Sequence, residues 1–136
     1  MRGRLITTSF MNLSNGILVF LGGGTGAVLR YLLSLVIKSP ASGFPSSTFW
    51  VNVIGCFIIG CIFSFLHTGN QSLKLLCIVG LLGGFTTFSS FGIETIRLFK
   101  LGDYRMAFFY ISLSNICGLG AVYLGTKLSS FWGIKA

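Results

Sequence analysis

Four stretches of this chain are each about as long as the roughly 20 largely uncharged residues that cross a bilayer core. They run over residues 16–37, 47–66, 73–99 and 106–126. The connectors between them are short and carry turn-forming residues such as Pro40, Gly43, Asn70 and Gly102, which leaves no room for a soluble domain. Composition agrees with that arrangement: 53% of residues are hydrophobic and only 9% are charged, against roughly 25% charged in an ordinary soluble domain. The chain is therefore read as a single all-α integral membrane domain of four transmembrane helices. The first stretch follows Arg2 and Arg4 but is longer than a signal-peptide core and has no convincing cleavage site, so it is read as a retained helix, with Arg2–Asn12 as an interfacial leader.

The net charge of +8 fits attraction to anionic lipid headgroups, and no nucleic-acid module accompanies it. Its distribution is more informative. With alternating helices, Arg2, Arg4, Lys74, Lys127 and Lys135 fall on one side of the membrane. Lys38, Arg97, Lys100 and Arg105 fall on the other, and Arg30 lies nearer the membrane. A Lys/Arg excess normally sets orientation, so a chain this evenly balanced can insert both ways up, unless a small bias lets one orientation win. Glycines at positions 22, 23, 24, 26, 55 and 60 suit close helix packing in lipid, either within one chain or between two copies.

Enzyme chemistry has little to work with. The only carboxylates are Glu94 and Asp103, and no nucleophile triad, phosphate loop or acid–base pair emerges. Cys56, Cys61, Cys77 and Cys117 lie in apolar segments without metal-ligand spacing and are read as packing residues. Glu94 lies close to Arg97 in sequence, and an ion pair between them is the expectation.

The third stretch departs from hydrocarbon. In "GLLGGFTTFSSFGIE", Gly83 and Gly84 precede Thr86 and Thr87, a weak point at which the helix is expected to break. Backbone groups freed at that depth need partners. Discontinuous helices commonly turn carbonyls toward a cation and helix N-termini toward an anion. Beyond the break, Phe88 and Phe91 share a helical face beside Ser89 and Ser90; ring edges are electropositive and hydroxyls donate hydrogen bonds, so the segment suits a small anion. Asn52, in "TFWVNVIGCFIIG", adds an amide at membrane depth.

Three segments, "GGGTGAVLRY" (22–31), "TFWVNVIGCFIIG" (48–60) and "GLLGGFTTFSSF" (80–91), resemble in order, spacing and placement the signature segments of the CrcB or Fluc family of fluoride channels. The resemblance implies an antiparallel, dual-topology homodimer in a bacterial cytoplasmic membrane, with two fluoride pores and a structural sodium ion at its centre. Carried over by position, Phe88, Phe91 and Asn52 would line the fluoride path. Ser89 and Ser90 would accompany it, with Tyr110 and Ser114 contributing from the fourth helix. Arg30 would stand in the vestibule, and the backbone carbonyls of Gly83 and Thr86 would hold sodium. One turn after Ser114 stands Gly118, where some relatives carry another hydroxyl. Two other readings remain: a small multidrug-resistance-type exporter, which calls for a first-helix carboxylate that residues 16–37 lack, and a non-transporting scaffold in which the broken segment only packs helices.

Overall fold

The computed structural model describes residues 13–40, 43–67 and 70–131; Arg2, Arg4, the leader and Lys135 lie outside them. Every regular element among the described residues is helical. Helix α1 spans Leu13–Val36 and α2 spans Ser46–His67. The third span is divided at residues 86–87 into α3, residues 71–85, and α4, Phe88–Lys100. Helix α5 covers Tyr104–Phe131. Among the described residues, and counting α3 and α4 together, four spans are long and apolar enough to cross a membrane, and large apolar side chains such as Phe20, Val36 and Leu119 stand exposed on them.

Local chemistry sets the ends. Asn70 caps α3 by accepting the Ser72 N–H at 2.8 Å. The middle of α3, Leu75–Leu82, winds with wider π-type turns before one α-helical turn closes at Phe85. The hairpin from α4 to α5 is built by Gly102, whose φ of 74° only glycine adopts cheaply. The Gly102 N–H returns to the Phe99 carbonyl and the Asp103 N–H to that of Leu98, a Schellman closure. Asp103 then caps α5 by accepting the Met106 N–H at 3.1 Å.

Two helix pairs are held by backbone-to-backbone contact. Between α1 and α3, a Cβ on Gly22 would strike the Leu76 carbonyl, and one on Gly26 the Leu81 carbonyl. From the facing helix, a Cβ on Gly84 would strike Gly23, and one on Gly80 would lie 2.9 Å from the Gly22 Cα. The paired spacings Gly22/Gly26 and Gly80/Gly84 thus interlock, as small residues do where lipid supplies no hydrophobic drive between helices. Between α2 and α5, Gly60 abuts Val122 and Gly125, and Gly125 abuts the Phe57 carbonyl; both helices run in the same direction. Gly55 instead faces the Thr86 methyl at the break, and Gly24 has open space.

These contacts separate two outwardly similar substitutions. Gly26→Ala is expected to destabilise by about 1–3 kcal/mol through overpacking, whereas Gly24→Ala is expected to be neutral or to stabilise by up to ~1 kcal/mol through helix propensity. Thermal melting in detergent checks both, and equal melting points for the two variants would contradict the interlocked α1–α3 seam.

Candidate functional site at the break in the third span

The break consists of two extended residues. Thr86 has φ −75°, ψ 157° and Thr87 has φ −148°, ψ 106°. Both the Thr86 N–H and its hydroxyl return to the Leu82 carbonyl, at 2.9 and 2.8 Å, closing α3. Thr87 is held from across the bundle: its N–H donates to Asn52 Oδ1 at 2.8 Å, and its carbonyl accepts from Asn52 Nδ2 at 3.1 Å. The carboxamide of α2 thereby satisfies both backbone groups of one residue in a region where water cannot. Thr87 also caps α4, its hydroxyl accepting the Ser90 N–H at 3.1 Å while donating to Ser90 Oγ at 2.9 Å and contacting Ser89 Oγ at 3.2 Å.

These substitutions of partner have a second effect. In a continuous helix the Thr87 N–H would bond the Gly83 carbonyl, and the Ser90 N–H that of Thr86. Here the two donors go to Asn52 and to the Thr87 hydroxyl. The Gly83 and Thr86 carbonyls are thus released from their helical donors.

Two cavities flank the Asn52–Thr87 pair. The larger, of about 410 Å³, is lined by Asn52, Gly83, Thr86, Phe88, Phe91 and Ser114, with Cys56 and Asn115 among the remainder. No carboxylate lines it. The Ser114 hydroxyl is buried and has no partner among the described residues. The second cavity, of about 340 Å³, brings Arg30 from α1 together with Ser47 and Thr48 of α2 and with Thr87 and Ser90 at the break. A cation and several hydroxyls thus stand on one side of the Asn52–Thr87 pair, with phenyl rings and an amide on the other.

The rings are positioned by a chain of aromatic contacts. Phe44 meets Tyr110 edge-on at 5.4 Å, Tyr110 meets Phe91 at 5.1 Å, and Phe91 meets Phe88 at 5.6 Å. Tyr110 is fully buried in the α2–α4–α5 core, while Phe88 is 84% exposed. Phe91 is therefore fixed from behind and Phe88 projects from it.

One side chain has partners other than the one its spacing suggests. Glu94 forms no ion pair with Arg97; its Oε1 accepts from Thr48 at 2.8 Å and its Oε2 from Tyr110 at 2.9 Å. Helical proximity favoured Arg97, but that side is exposed at the helix end, whereas Thr48 and Tyr110 reach the carboxylate from α2 and α5. Tyr110 accordingly spends its hydroxyl on Glu94 and supports Phe91 with its ring, and it is not among the residues lining the larger cavity. Thr48 and Asn115 were not singled out by the sequence reading. The rule that selected Asn52, a polar side chain within an apolar span, also applies to Asn115.

A helical domain with four candidate membrane spans, interrupted within the third and with amide, hydroxyl and phenyl groups gathered at the interruption, belongs to the class of small multi-pass membrane proteins with a polar site at membrane depth. Family comparison agrees. The family model described as "CrcB-like protein, Camphor Resistance (CrcB)" matches residues 17–126, and the chain belongs to that family. It is similar to a protein of Phocaeicola vulgatus, 44% identical over 117 residues, covering 83% of this chain and 96% of that relative. A Flavobacterium psychrophilum protein is 47% identical over 111 residues, covering 79% and 90% respectively. An Azobacteroides pseudotrichonymphae protein is 41% identical over 119 residues, covering 85% and 95%. Each of the three is named a fluoride-specific ion channel.

Asn52→Leu should leave the Thr87 N–H and carbonyl unpartnered, at a cost of about 1–3 kcal/mol for each group. The expected outcome is a clear fall in the melting point in detergent. An unchanged melting point would show that the break does not depend on the α2 amide.

Proposed function

We propose that the chain is a fluoride channel that lets cytosolic fluoride leave passively down its electrochemical gradient and so confers fluoride resistance. The observation that carries this reading is the larger cavity, where Asn52, Phe88, Phe91 and Ser114 meet at the helix break without any carboxylate. Fluoride is small and strongly hydrated, so each lost water has to be replaced by a comparable contact. The cavity supplies amide and hydroxyl donors, and phenyl rings whose edges are electropositive. Arg30 in the adjoining cavity raises the local anion concentration at the mouth. Ser90 lines the adjoining cavity and is linked to Ser89 through the Thr87 hydroxyl, and the two would accompany the fluoride route. Uncharged HF crosses membranes and dissociates inside cells, so a passive fluoride leak protects the cytosol without nucleotide or coupled proton.

An antiparallel homodimer with two pores, in a bacterial cytoplasmic membrane, is part of the proposal. Its support is the even spread of Lys and Arg over the two sides and the position of Phe88, which projects 84% exposed beside a cavity holding amides and hydroxyls. The amides and hydroxyls of that cavity, rather than the phenyl ring, are costly against hydrocarbon, and a second copy would cover them. Anionic lipid would meet the basic residues at both membrane surfaces. Sodium is the proposed structural ion. The Gly83 and Thr86 carbonyls, released from their helical donors, fit a hard cation that favours oxygen ligands, and bound sodium would neutralise carbonyl dipoles at the subunit junction.

Purified protein in liposomes, read with a fluoride electrode, tests the function. Rapid fluoride release without chloride release is expected, and Phe91→Ile should slow it at least tenfold. No fluoride release from well-folded wild type would return the broken segment to a packing role. For the ion, replacing sodium with a bulky organic cation on both sides of the membrane should cut fluoride flux severely; undiminished flux would remove sodium from the proposal.

A further inference from the structure

We infer that Asn115 is a further anion-recognition residue on this route, with its amide donating a hydrogen bond to the ion opposite Asn52. The inference rests on the fluoride-channel reading above and deepens it.

Depth comes first. Asn115 lies on α5, which begins at Tyr104; at about 1.5 Å per residue it stands roughly 17 Å along the helix, near the middle of a bilayer. A carboxamide there is costly unless something polar meets it. Asn115 is exposed on the surface of the chain and lines the larger cavity with Asn52, Phe88, Phe91 and Ser114.

Its hydrogen bonding is incomplete. Asn115 Nδ2 donates to the Ile111 carbonyl at 2.7 Å, an anchor on its own helix that fixes the amide and identifies the nitrogen. One N–H and the Oδ1 have no partner among the described residues. Asn52 is in a similar state: its Oδ1 and one N–H are taken by Thr87, leaving one N–H. The two residues also stand at one level. Helices α2 and α5 run in the same direction with Gly60 against Val122 and Gly125, and Gly118 opposite Cys56. One turn back along that register, Asn115 is level with Asn52. Immediately before Asn115, the buried Ser114 hydroxyl also lacks a partner among the described residues and lines the same cavity.

Two carboxamides with one free N–H each, and a free hydroxyl, thus surround one level of a cavity bounded by Phe88 and Phe91. All can donate, and a small anion that has shed part of its hydration needs several donors at once. An amide serving only to fasten α5 to another helix of the chain would bond that helix. The one protein bond Asn115 makes among the described residues is to its own.

Fluoride efflux from liposomes is compared for wild type, Asn115→Leu, Asn115→Gln and Asn115→Asp, with melting point and oligomeric state recorded for each. Asn115→Leu removes the donor at similar volume and is expected to slow efflux at least tenfold at unchanged oligomeric state, with Asn115→Gln restoring most of the rate. If the Leu variant fails to assemble, Asn115→Asp, which keeps the shape and replaces a donor with an acceptor, is expected to show the same loss. Efflux from the Leu and Asp variants within twofold of a conducting wild type would overturn the inference and leave the channel reading intact. So would a loss that tracks only with a changed oligomeric state. A silent, well-folded wild type would remove the channel reading and this inference together.

Discussion

The arrangement depends on one exchange of hydrogen bonds, between the carboxamide of Asn52 and the backbone of Thr87. A helix broken at mid-membrane exposes peptide groups to hydrocarbon, and the break survives only where protein replaces the missing partners. Asn52 supplies an acceptor and a donor to the same residue. It can do so only if α2 is held at one depth and rotation, and the contacts of Gly60 with α5 and of Gly55 with Thr86 set both. The extended backbone at residues 86–87 in turn aims the N-terminus of α4, its positive end, at the break. A single side chain thus couples helix packing to the electrostatics of the site.

Rigidity beyond the break comes from the aromatic chain and from Glu94. The only carboxylate within the spans accepts from Thr48 on α2 and Tyr110 on α5, tying three helices together at one point. Tyr110 serves both systems, since its hydroxyl holds Glu94 while its ring backs Phe91. Thr48 and Tyr110 occupy both oxygens of Glu94, and Glu94 is not among the residues that line the cavity bounded by Phe88 and Phe91.

Much of this was legible in the sequence because it is local. Hydropathy marked the four spans, and the Gly-Gly-Phe-Thr-Thr run marked the break. The i, i+3 spacing of Phe88 and Phe91 placed both rings on one face. The parts that escaped depend on contacts between residues far apart in the chain. Nothing near Asn52 shows that its partner is the backbone of a residue 35 positions away, and nothing near Glu94 points to Thr48, 46 positions away. Sequence proximity favoured Arg97 instead. The glycines were ambiguous for the same reason: close packing can be read from their spacing, but the partner cannot, and Gly22, Gly26 and Gly60 turn out to meet helices of their own chain.

Preorganisation follows from the same constraint. A donor that must reorient to meet an ion loses part of the contact to ordering, whereas one already fixed does not. Asn52 cannot turn toward a passing ion without abandoning Thr87, so its remaining N–H points where the break leaves it. Phe91 is similarly held by Tyr110, and Ser90 by the Thr87 hydroxyl. A cavity whose Asn52 amide is committed to the break cannot widen there without loosening the α3–α4 junction. On the proposed channel reading, size discrimination against chloride would follow from how the break is kept, and the groups that preserve the helix interruption in lipid would also set which anion fits it.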